Sequence, residues 1–232
     1  MSPARHTVAD AEDAASSAAE FVTRRAVAAI ERTGRFVWAV SGGSTPRHFL
    51  RALAGHDEIE WSAVHLFQVD ERIATHGSEH RNDTMIRDAL VRRRPAVHYH
   101  ALPVDQVDLP AALDQHHRLL TDVAGNPPRL HLAQLGLGAD GHTASLVPGD
   151  PVLHAASDLA ITEPYQGTRR VTMTAELLGR AEHRLFLVTG PEKSDALARL
   201  LAEDPNIPAT LLGHRETTII GDRAAYGLSS PR

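Results

Sequence analysis

The sequence has 232 residues, of which 42% are hydrophobic and 23% are charged, fractions that are ordinary for a globular protein. We expect a single α/β domain over residues 1–232, because a chain of this length buries enough surface to fold without disulfides. The sequence contains no cysteine, which excludes disulfides and thiolate chemistry. The net charge of −5 argues against a nucleic-acid partner, and no apolar run approaches the ~20 residues that span a bilayer.

Two further features bear on location and on metals. Residues 1–10 lack the apolar core of a signal peptide, and the lack of cysteine suits a reducing compartment, so we expect a cytoplasmic protein. Histidine is frequent, with 15 residues, but the histidines are scattered and form no His-Glu-x-x-His pattern. We therefore interpret all but one of them as structural or surface residues and expect no metal site.

The first elements follow from hydrophobic periodicity. Apolar residues at helical spacing predict a long amphipathic helix over residues 10–30. Residues 36–40 (Phe-Val-Trp-Ala-Val) form a short apolar run that predicts a buried strand. A second helix is predicted over residues 46–53, with Thr45 as its N-cap and Pro46 at its first helical position.

The same alternation continues to the end of the chain. Further strands are predicted over residues 64–69, 130–135, 184–188 and 217–220, and further helices over residues 82–93, 109–123 and 191–202. Strands that alternate with helices indicate a mostly parallel β-sheet with helices on both faces. Residues 148–170 interrupt the alternation and predict a longer loop with short strands.

Three polar segments, residues 41–46, 70–72 and 136–142, follow predicted strands. Ligands of parallel sheets bind outside the carboxyl ends of the strands, so these segments together predict a site. Residues 41–46 join a strand to a helix N-terminus, where glycines and free N–H groups favour a phosphate, although the segment also suits an ordinary tight turn. Arg72 would add a guanidinium for phosphate, unless it forms a salt bridge within residues 70–72.

The segment 136–142 spells Gly-x-Gly-x-x-Gly-His, but Pro148 and Pro151 interrupt the long helix that a dinucleotide site requires. We instead interpret His142 as a general base, which an imidazole at a strand end can be near neutral pH. Asp140, two residues before it, either tunes this base or caps the next helix.

These segments carry a family resemblance. Residues 41–46 (Ser-Gly-Gly-Ser-Thr-Pro), 70–72 (Asp-Glu-Arg) and 135–146 (Leu-Gly-Leu-Gly-Ala-Asp-Gly-His-Thr-Ala-Ser-Leu) resemble the motifs of 6-phosphogluconolactonases, in the same order and spacing. The resemblance implies a Rossmann-like sheet and hydrolysis of 6-phospho-D-glucono-1,5-lactone to 6-phospho-D-gluconate in the oxidative pentose phosphate pathway. It implies no cofactor or metal, and we expect a monomer or a weak homodimer.

The resemblance also assigns roles to individual residues. His142 would activate the water, with Asp140 beside it. The substrate, and above all its phosphate, would be held by Gly42, Gly43, Ser44, Thr45, Asp70 and Arg72. The chain departs from the family at residues 163–169, where a phosphate-binding lysine is common and this sequence has none. Arg169 or Arg170 is the expected replacement for its charge.

Two alternatives stay open. Glucosamine-6-phosphate deaminases share the residue 41–46 motif, but they carry a glutamate at the position of Val147, and valine cannot transfer protons. The other alternative is a non-enzymatic sugar-phosphate sensor of a transcriptional regulator. With the first strand expected near Phe36, the sequence leaves no room before it for a helix-turn-helix unit.

Overall fold

Short and fully buried apolar segments form the centre of the structure. In this computed structural model, which describes residues 3–229, every residue of Phe36–Val40 and Arg184–Val188 is buried. A strand that is buried on both faces needs cover on both sides, and parallel sheets flanked by helices supply it. The predicted fold class, a Rossmann-like and mostly parallel sheet with helices on both faces, is confirmed.

The strands of the described part are β1 (Ala4–Val8), β2 (Phe36–Val40), β3 (Val64–Gln68), β4 (Asp70–Arg72), β5 (His98–His100), β6 (Leu132–Leu135), β7 (Leu159–Ile161), β8 (Arg170–Met173), β9 (Arg184–Val188) and β10 (Thr217–Asp222). The main sheet has seven parallel strands in the order β1-β10-β9-β6-β2-β3-β5, and a small antiparallel sheet has the order β4-β8-β7.

The α-helices between residues 3 and 229 are α1 (Ala11–Thr33), α2 (Ser44–Leu53), α3 (Asn82–Ile86), α4 (Leu109–Ala124), α5 (Ala175–Gly179) and α6 (Ser194–Leu201). A π-helical turn, Arg87–Val91, continues α3, and a 3₁₀ turn, Pro191–Lys193, precedes α6. None of these helices is long and apolar enough to cross a membrane.

Helix α1 shows why the predicted helix forms where it does. The Asp10 side chain accepts hydrogen bonds from the N–H groups of Glu12 and Asp13, at 2.9 and 3.0 Å, and so caps the first turn. Gly34 ends the helix in the left-handed conformation, with φ of 74°. Between the caps, a row of buried alanines lets α1 lie close to the sheet and to α2.

One strand supplies both halves of the hydrophobic core. Phe36, Trp38 and Val40 of β2 point to the core that contains α1 and α2, whereas Val37 and Ala39 point to the core on the opposite face. This alternation is the period of two that an extended backbone imposes. The sheet is therefore the shared wall of the two cores, and it holds its strand ends in fixed relative positions.

Residues 70–72, which the sequence analysis placed as a polar segment after a predicted strand, form a strand of their own. They form β4, which pairs antiparallel with β8 in the small sheet. The cause lies at Val69, whose N–H still bonds to Val40 of the main sheet at 3.0 Å. Its carbonyl accepts instead from the N–H of Met173, at 2.7 Å. The chain thus passes at Val69 from one sheet directly into the other.

Candidate active site

The three predicted segments meet in one cleft of about 280 Å³. It lies at the carboxyl ends of β2, β3, β6 and β9, which are neighbours in the sheet, and its wall includes residues of the segments 41–46, 70–72 and 136–142. Successive strands are added to the sheet on opposite sides of the β2–β6 pair, and such a reversal opens a crevice above the strand ends.

The first wall of the cleft is the N-terminus of α2. The helix begins at Ser44 and its N-cap is Gly43, with φ of 116° and no side-chain hydrogen bond, so Thr45 is not the N-cap that the sequence predicted. The Thr45 hydroxyl instead lies 2.8 Å from the hydroxyl of Thr189. The first N–H groups of α2 have no acceptor within the helix, so this end presents donors and a positive dipole to the cleft.

Gly42 is required by a close approach. A Cβ atom at this position would lie 1.8 Å from Oδ1 of Asn82, which fills the space that the glycine leaves. Asn82 in turn donates from Nδ2 to the carbonyl of Asp70, at 2.9 Å, and its Oδ1 accepts from Nη1 of Arg72, at 2.9 Å. Asn82 therefore joins the residue 41–46 segment to β4 and orients Arg72, a function that the sequence analysis missed.

Two arginines stand side by side on the second wall. Arg72 of β4 is paired in register with Arg170 of β8, and both side chains line the cleft. Arg170 is 6% exposed and its Nε has no hydrogen-bond partner within the described residues. Burial lowers the pKa of Arg170, Asp70 raises it and Arg72 lowers it further. A bound anion would offset both the cost of burying the Arg170 guanidinium and its repulsion by Arg72.

Of two further residues that the sequence placed in the site, Asp70 lies in the wall of the cleft and Arg169 lies outside it. Asp70 lines the cleft, and its carboxylate accepts from the Ser145 hydroxyl at 2.6 Å and from Asn82 at 3.3 Å. Arg169 does not line the cleft, because its Nε donates to the carbonyl of Thr162, at 3.1 Å. The structure thus brings Arg170, and not its neighbour, to the predicted site.

His142 and Asp140 form a dyad at the third wall. Nδ1 of His142 lies 2.6 Å from Oδ1 of Asp140, and the backbone N–H of His142 donates to the same oxygen at 3.1 Å. Burial raises the pKa of Asp140, but the hydrogen bonds from His142 and Tyr165 outweigh it, and the pKa lies below its ordinary value. An ionised carboxylate accepts from Nδ1–H, and in the neutral tautomer that makes this bond Nε2 carries the lone pair that can accept a proton.

A glycine makes room for this dyad. A Cβ atom at Gly138 would lie 2.1 Å from Nδ1 of His142 and 2.6 Å from Oδ1 of Asp140. The turn itself is closed by hydrogen bonds from the Gly138 N–H to the His142 carbonyl, at 2.8 Å, and from the Gly141 N–H to the Gly138 carbonyl, at 2.9 Å. The glycines of the Gly-x-Gly-x-x-Gly pattern therefore allow a tight loop around His142, and the pattern is not a dinucleotide site here.

The structure adds a lysine to the cleft. Lys193, at the end of the 3₁₀ turn before α6, lines it together with Glu192. The signal in the sequence is composition, since Lys193 is the only lysine of the chain. Arg72, Arg170 and Lys193 outnumber the two carboxylates of the lining, Asp70 and Glu192. An excess of positive charge favours an anionic ligand.

Glu71 has no access to the cleft. Its side chain is fully buried and accepts four hydrogen bonds from neighbouring groups, each 2.8 Å long.

Across residues 3–229, no three His, Asp or Glu side chains converge in a way that could hold a metal ion.

Comparison with known proteins shows the family of the chain. The family described as "Glucosamine-6-phosphate isomerases/6-phosphogluconolactonase" matches residues 9–220. A 6-phosphogluconolactonase of Nostoc sp. is 34% identical over 180 residues, which cover 75% of each chain. One of Mycobacterium tuberculosis is 30% identical over 214 residues, which cover 85% of this chain and 87% of the relative.

Solved structures extend the likeness to the fold. The 6-phosphogluconolactonase of Trypanosoma brucei superimposes with a TM-score of 0.84 at 21% identity, over 98% of this chain and 99% of the other. A monomeric glucosamine-6-phosphate deaminase superimposes with a TM-score of 0.83 at 17% identity, over 97% and 100%. At these identities the structures establish a shared fold, whereas the family match rests on the sequence. The chain belongs to the glucosamine-6-phosphate isomerase/6-phosphogluconolactonase family.

Proposed function

We propose that this chain is a 6-phosphogluconolactonase, which hydrolyses 6-phospho-D-glucono-1,5-lactone to 6-phospho-D-gluconate in the oxidative pentose phosphate pathway. One observation carries the proposal. The cleft holds a carboxylate-oriented imidazole on one wall, and a helix N-terminus with two adjacent guanidiniums on the others. A base and an anion site within one cleft suit a substrate with a hydrolysable group at one end and a phosphate at the other.

The base acts on water. Nε2 of His142 takes a proton from a water molecule as the water oxygen attacks the lactone carbonyl carbon, while Asp140 stabilises the resulting imidazolium. The tetrahedral intermediate then collapses, the bond from this carbon to the ring oxygen breaks, and the imidazolium returns its proton to that oxygen. The product is an open-chain acid, which ionises to 6-phosphogluconate.

The phosphate is held at the other side of the cleft. The N–H groups of Gly43, Ser44 and Thr45 at the start of α2 donate to its oxygens, and Arg72 and Arg170 add charge-assisted hydrogen bonds. Asn82 keeps Arg72 in place. Lys193 supplies a third cation to the cleft and compensates for the missing lysine of residues 163–169.

The deaminase alternative lacks a group that it needs. Val147, at the position of the deaminase glutamate, is 8% exposed and apolar, so no carboxylate is available there to assist ring opening. The fold does not separate the two activities, because the deaminase structure superimposes as well as the lactonase structure does. A sensor would need the anion site but not the dyad, and the dyad therefore favours an enzyme.

Other properties of the enzyme are also proposals. We propose that it acts in the cytoplasm, as a monomer or a weak homodimer, without metal or cofactor and without a nucleic-acid or membrane partner. The lack of cysteine and the net charge of −5 fit these proposals.

The test is an assay on freshly prepared 6-phosphogluconolactone, run against its spontaneous hydrolysis. The wild-type protein should accelerate hydrolysis, and His142→Ala should lower kcat by about 100-fold or more, because a general base contributes roughly 10²–10⁴-fold. Binding of the product 6-phosphogluconate, measured by calorimetry, should persist in this variant. Wild-type hydrolysis at the spontaneous rate would refute the function, and near-native kcat in His142→Ala would refute the base.

A further inference from the structure

The segment in which the chain departs from its family forms an ordered hairpin. The N–H groups of Tyr165 and Thr168 each donate to the carbonyl of the other, at 3.1 and 3.2 Å. Gln166 and Gly167 between them have φ of 51° and 79°. Two successive residues with positive φ are typical of the turns that close two-residue hairpins. The Tyr165 hairpin, residues 165–168, therefore presents its first side chain in a defined direction.

That direction is towards the catalytic dyad. The Tyr165 hydroxyl donates to Oδ2 of Asp140, at 3.2 Å, while Oδ1 of the same carboxylate accepts from His142. Burial first, and then the charge of Asp140, raise the pKa of Tyr165, so the hydroxyl keeps its proton and remains a donor. Tyr165, Asp140 and His142 thus form a chain of hydrogen bonds that ends at the proposed base.

The ring of Tyr165 makes two further contacts. Its centroid lies 5.6 Å from that of the His142 imidazole in an edge-to-face arrangement, with an angle of 66° between the planes. The guanidinium of Arg170 lies over the ring, 5.0 Å from its centroid. One side chain therefore touches both the imidazole of the base and the arginine of the anion site.

These contacts have separable physical effects. The hydroxyl fixes the rotation of the Asp140 carboxylate and draws part of its negative charge towards Oδ2, away from His142. The ring restrains the imidazole and supports a buried guanidinium through a cation–π contact. Loss of the hydroxyl alone would disturb the base, whereas loss of the ring would also disturb Arg170.

We propose that Tyr165 is a positioning residue for the reaction: its hydroxyl sets the orientation of the Asp140–His142 dyad, and its ring fixes Arg170 relative to that dyad. The inference rests on the proposed lactonase function. It assigns a role to the segment that lacks the lysine of the family.

Tyr165→Phe removes the hydroxyl and keeps the ring. It should lower kcat by about 3–10-fold, the worth of a partly exposed hydrogen bond to a charged group, and leave KM within about twofold. The acid limb of the pH profile of kcat/KM should move to higher pH, because a carboxylate freed from the hydroxyl stabilises the imidazolium more strongly. Tyr165→Leu should show the same changes and, in addition, a KM raised several-fold through Arg170.

Tyr226→Phe is the matched control. It removes the corresponding hydroxyl from Tyr226, which lies outside the cleft. The oxygen of Tyr226 has no hydrogen-bond partner within the described residues. This variant should keep the wild-type kcat, KM and pH profile. Thermal unfolding of all three variants separates a loss of fold from a loss of positioning.

A measurement without substrate separates this inference from the proposed function. The His142 signals in a ¹⁵N–¹H spectrum of the imidazoles, assigned by their absence in His142→Ala, are followed between about pH 5 and pH 8. In Tyr165→Phe the titration midpoint should rise, even if the wild-type protein proves inactive on the lactone. An unchanged His142 titration, or a wild-type kcat and pH profile in Tyr165→Phe, would overturn the positioning role.

Discussion

At the scale of single residues, Arg169, which precedes β8, and Arg170, the first residue of β8, lie in different environments. The carbonyl of Arg169 still accepts from the N–H of Ile73, at 3.0 Å, so the extended pairing continues through it. Neighbouring residues of extended backbone point to opposite faces, so one of the two arginines can reach the cleft while the other cannot. Arg170 lines the cleft beside Arg72, and Arg169 bonds to the Thr162 carbonyl. From the sequence, Arg169 and Arg170 are equivalent candidates for the site, and the pairing of β8 with β4 determines which of them lines the cleft.

Substitution of each arginine tests that choice. Arg170→Gln should raise KM for the phosphorylated lactone by about tenfold or more, since a charge-assisted hydrogen bond is worth about 1.5–3 kcal/mol, with a smaller effect on kcat. Arg169→Gln is the control and should leave KM within about twofold. For unphosphorylated gluconolactone, the two variants should behave alike. A larger rise in KM for Arg169→Gln than for Arg170→Gln would reverse the assignment.

How far the sequence predicts the site depends on sequence distance. His142, Asp140 and the residue 41–46 segment were found because each lies within a few positions of a strand end that hydrophobicity reveals. Asn82 was not assigned to the site, because nothing adjacent in the sequence marks it. Lys193 was overlooked, although it lies five positions beyond the end of β9. Asn82 reaches the cleft only by filling the space beside Gly42, a contact between residues 40 positions apart.

At the scale of secondary-structure elements, Glu71 connects the end of β3, the strand β4 and the start of α3. Its oxygens accept from the N–H groups of Asn82 and Asp83, which are orphan donors of the first turn of α3, and from Gln68 and the N–H of Arg72. Arg81 lies 3.6 Å from the same carboxylate. The elements that carry Arg72 and Asn82 are thus held by one buried charge.

Glu71→Gln should lower the free energy of unfolding by about 3 kcal/mol, because the amide places a donor where the structure supplies only donors. Asp88→Asn is the control, since Asp88 pairs with Arg92 at the exposed surface and such pairs contribute below about 1 kcal/mol. Urea denaturation of both variants at neutral pH measures the difference. Equal stability of the two variants would show that Glu71 does not organise these elements.

The predictability of an element follows from how it is buried. Strands β2 and β9 are apolar throughout and were predicted with the correct ends, whereas the residues of β1 are largely exposed and it was not predicted. Strand β5 has three residues, two of them histidine, and shows no apolar run. The antiparallel pairing of β4 depends on Val69, whose position between two sheets leaves no local pattern.

At the scale of the whole molecule, fully and partly buried histidines couple stability to pH. Burial, as the largest cause, lowers the pKa of His100, His116 and His183 to about 4, from an ordinary value of 6.5. Below pH 6.5 the unfolded chain therefore binds protons that the folded chain does not. The stability that these neutral histidines contribute is fully present above about pH 6.5 and decreases as the pH falls towards 4. The decrease is up to about 1.4 kcal/mol per pH unit for the buried His116 and less for the half-buried His100.

Urea denaturation between pH 8 and pH 5 measures this dependence. In His116→Gln, position 116 carries no titratable group in either state. The slope of the free energy of unfolding against pH, below pH 6.5, should therefore decrease by the contribution of one histidine. His76→Gln is the control, because the His76 side chain is 78% exposed, and it should leave the slope unchanged. Both measurements assume a single cooperative transition, which we predict from the sheet shared by the two cores. If the free energy of unfolding of His116→Gln and of the wild-type protein changed equally with pH, His116 would not contribute to the pH dependence of stability.

The composition of the cleft has a practical consequence for chemical modification. Lys193 is the only lysine among the 24 lysine and arginine residues, and it lies in the wall of the cleft. Reagents that acylate or alkylate primary amines therefore have one side-chain target in this protein, besides the chain's α-amino group. Attachment to amine-reactive supports through that side chain would obstruct the cleft. Occupancy of the cleft by phosphate would, by the same geometry, shield Lys193 from the reagent.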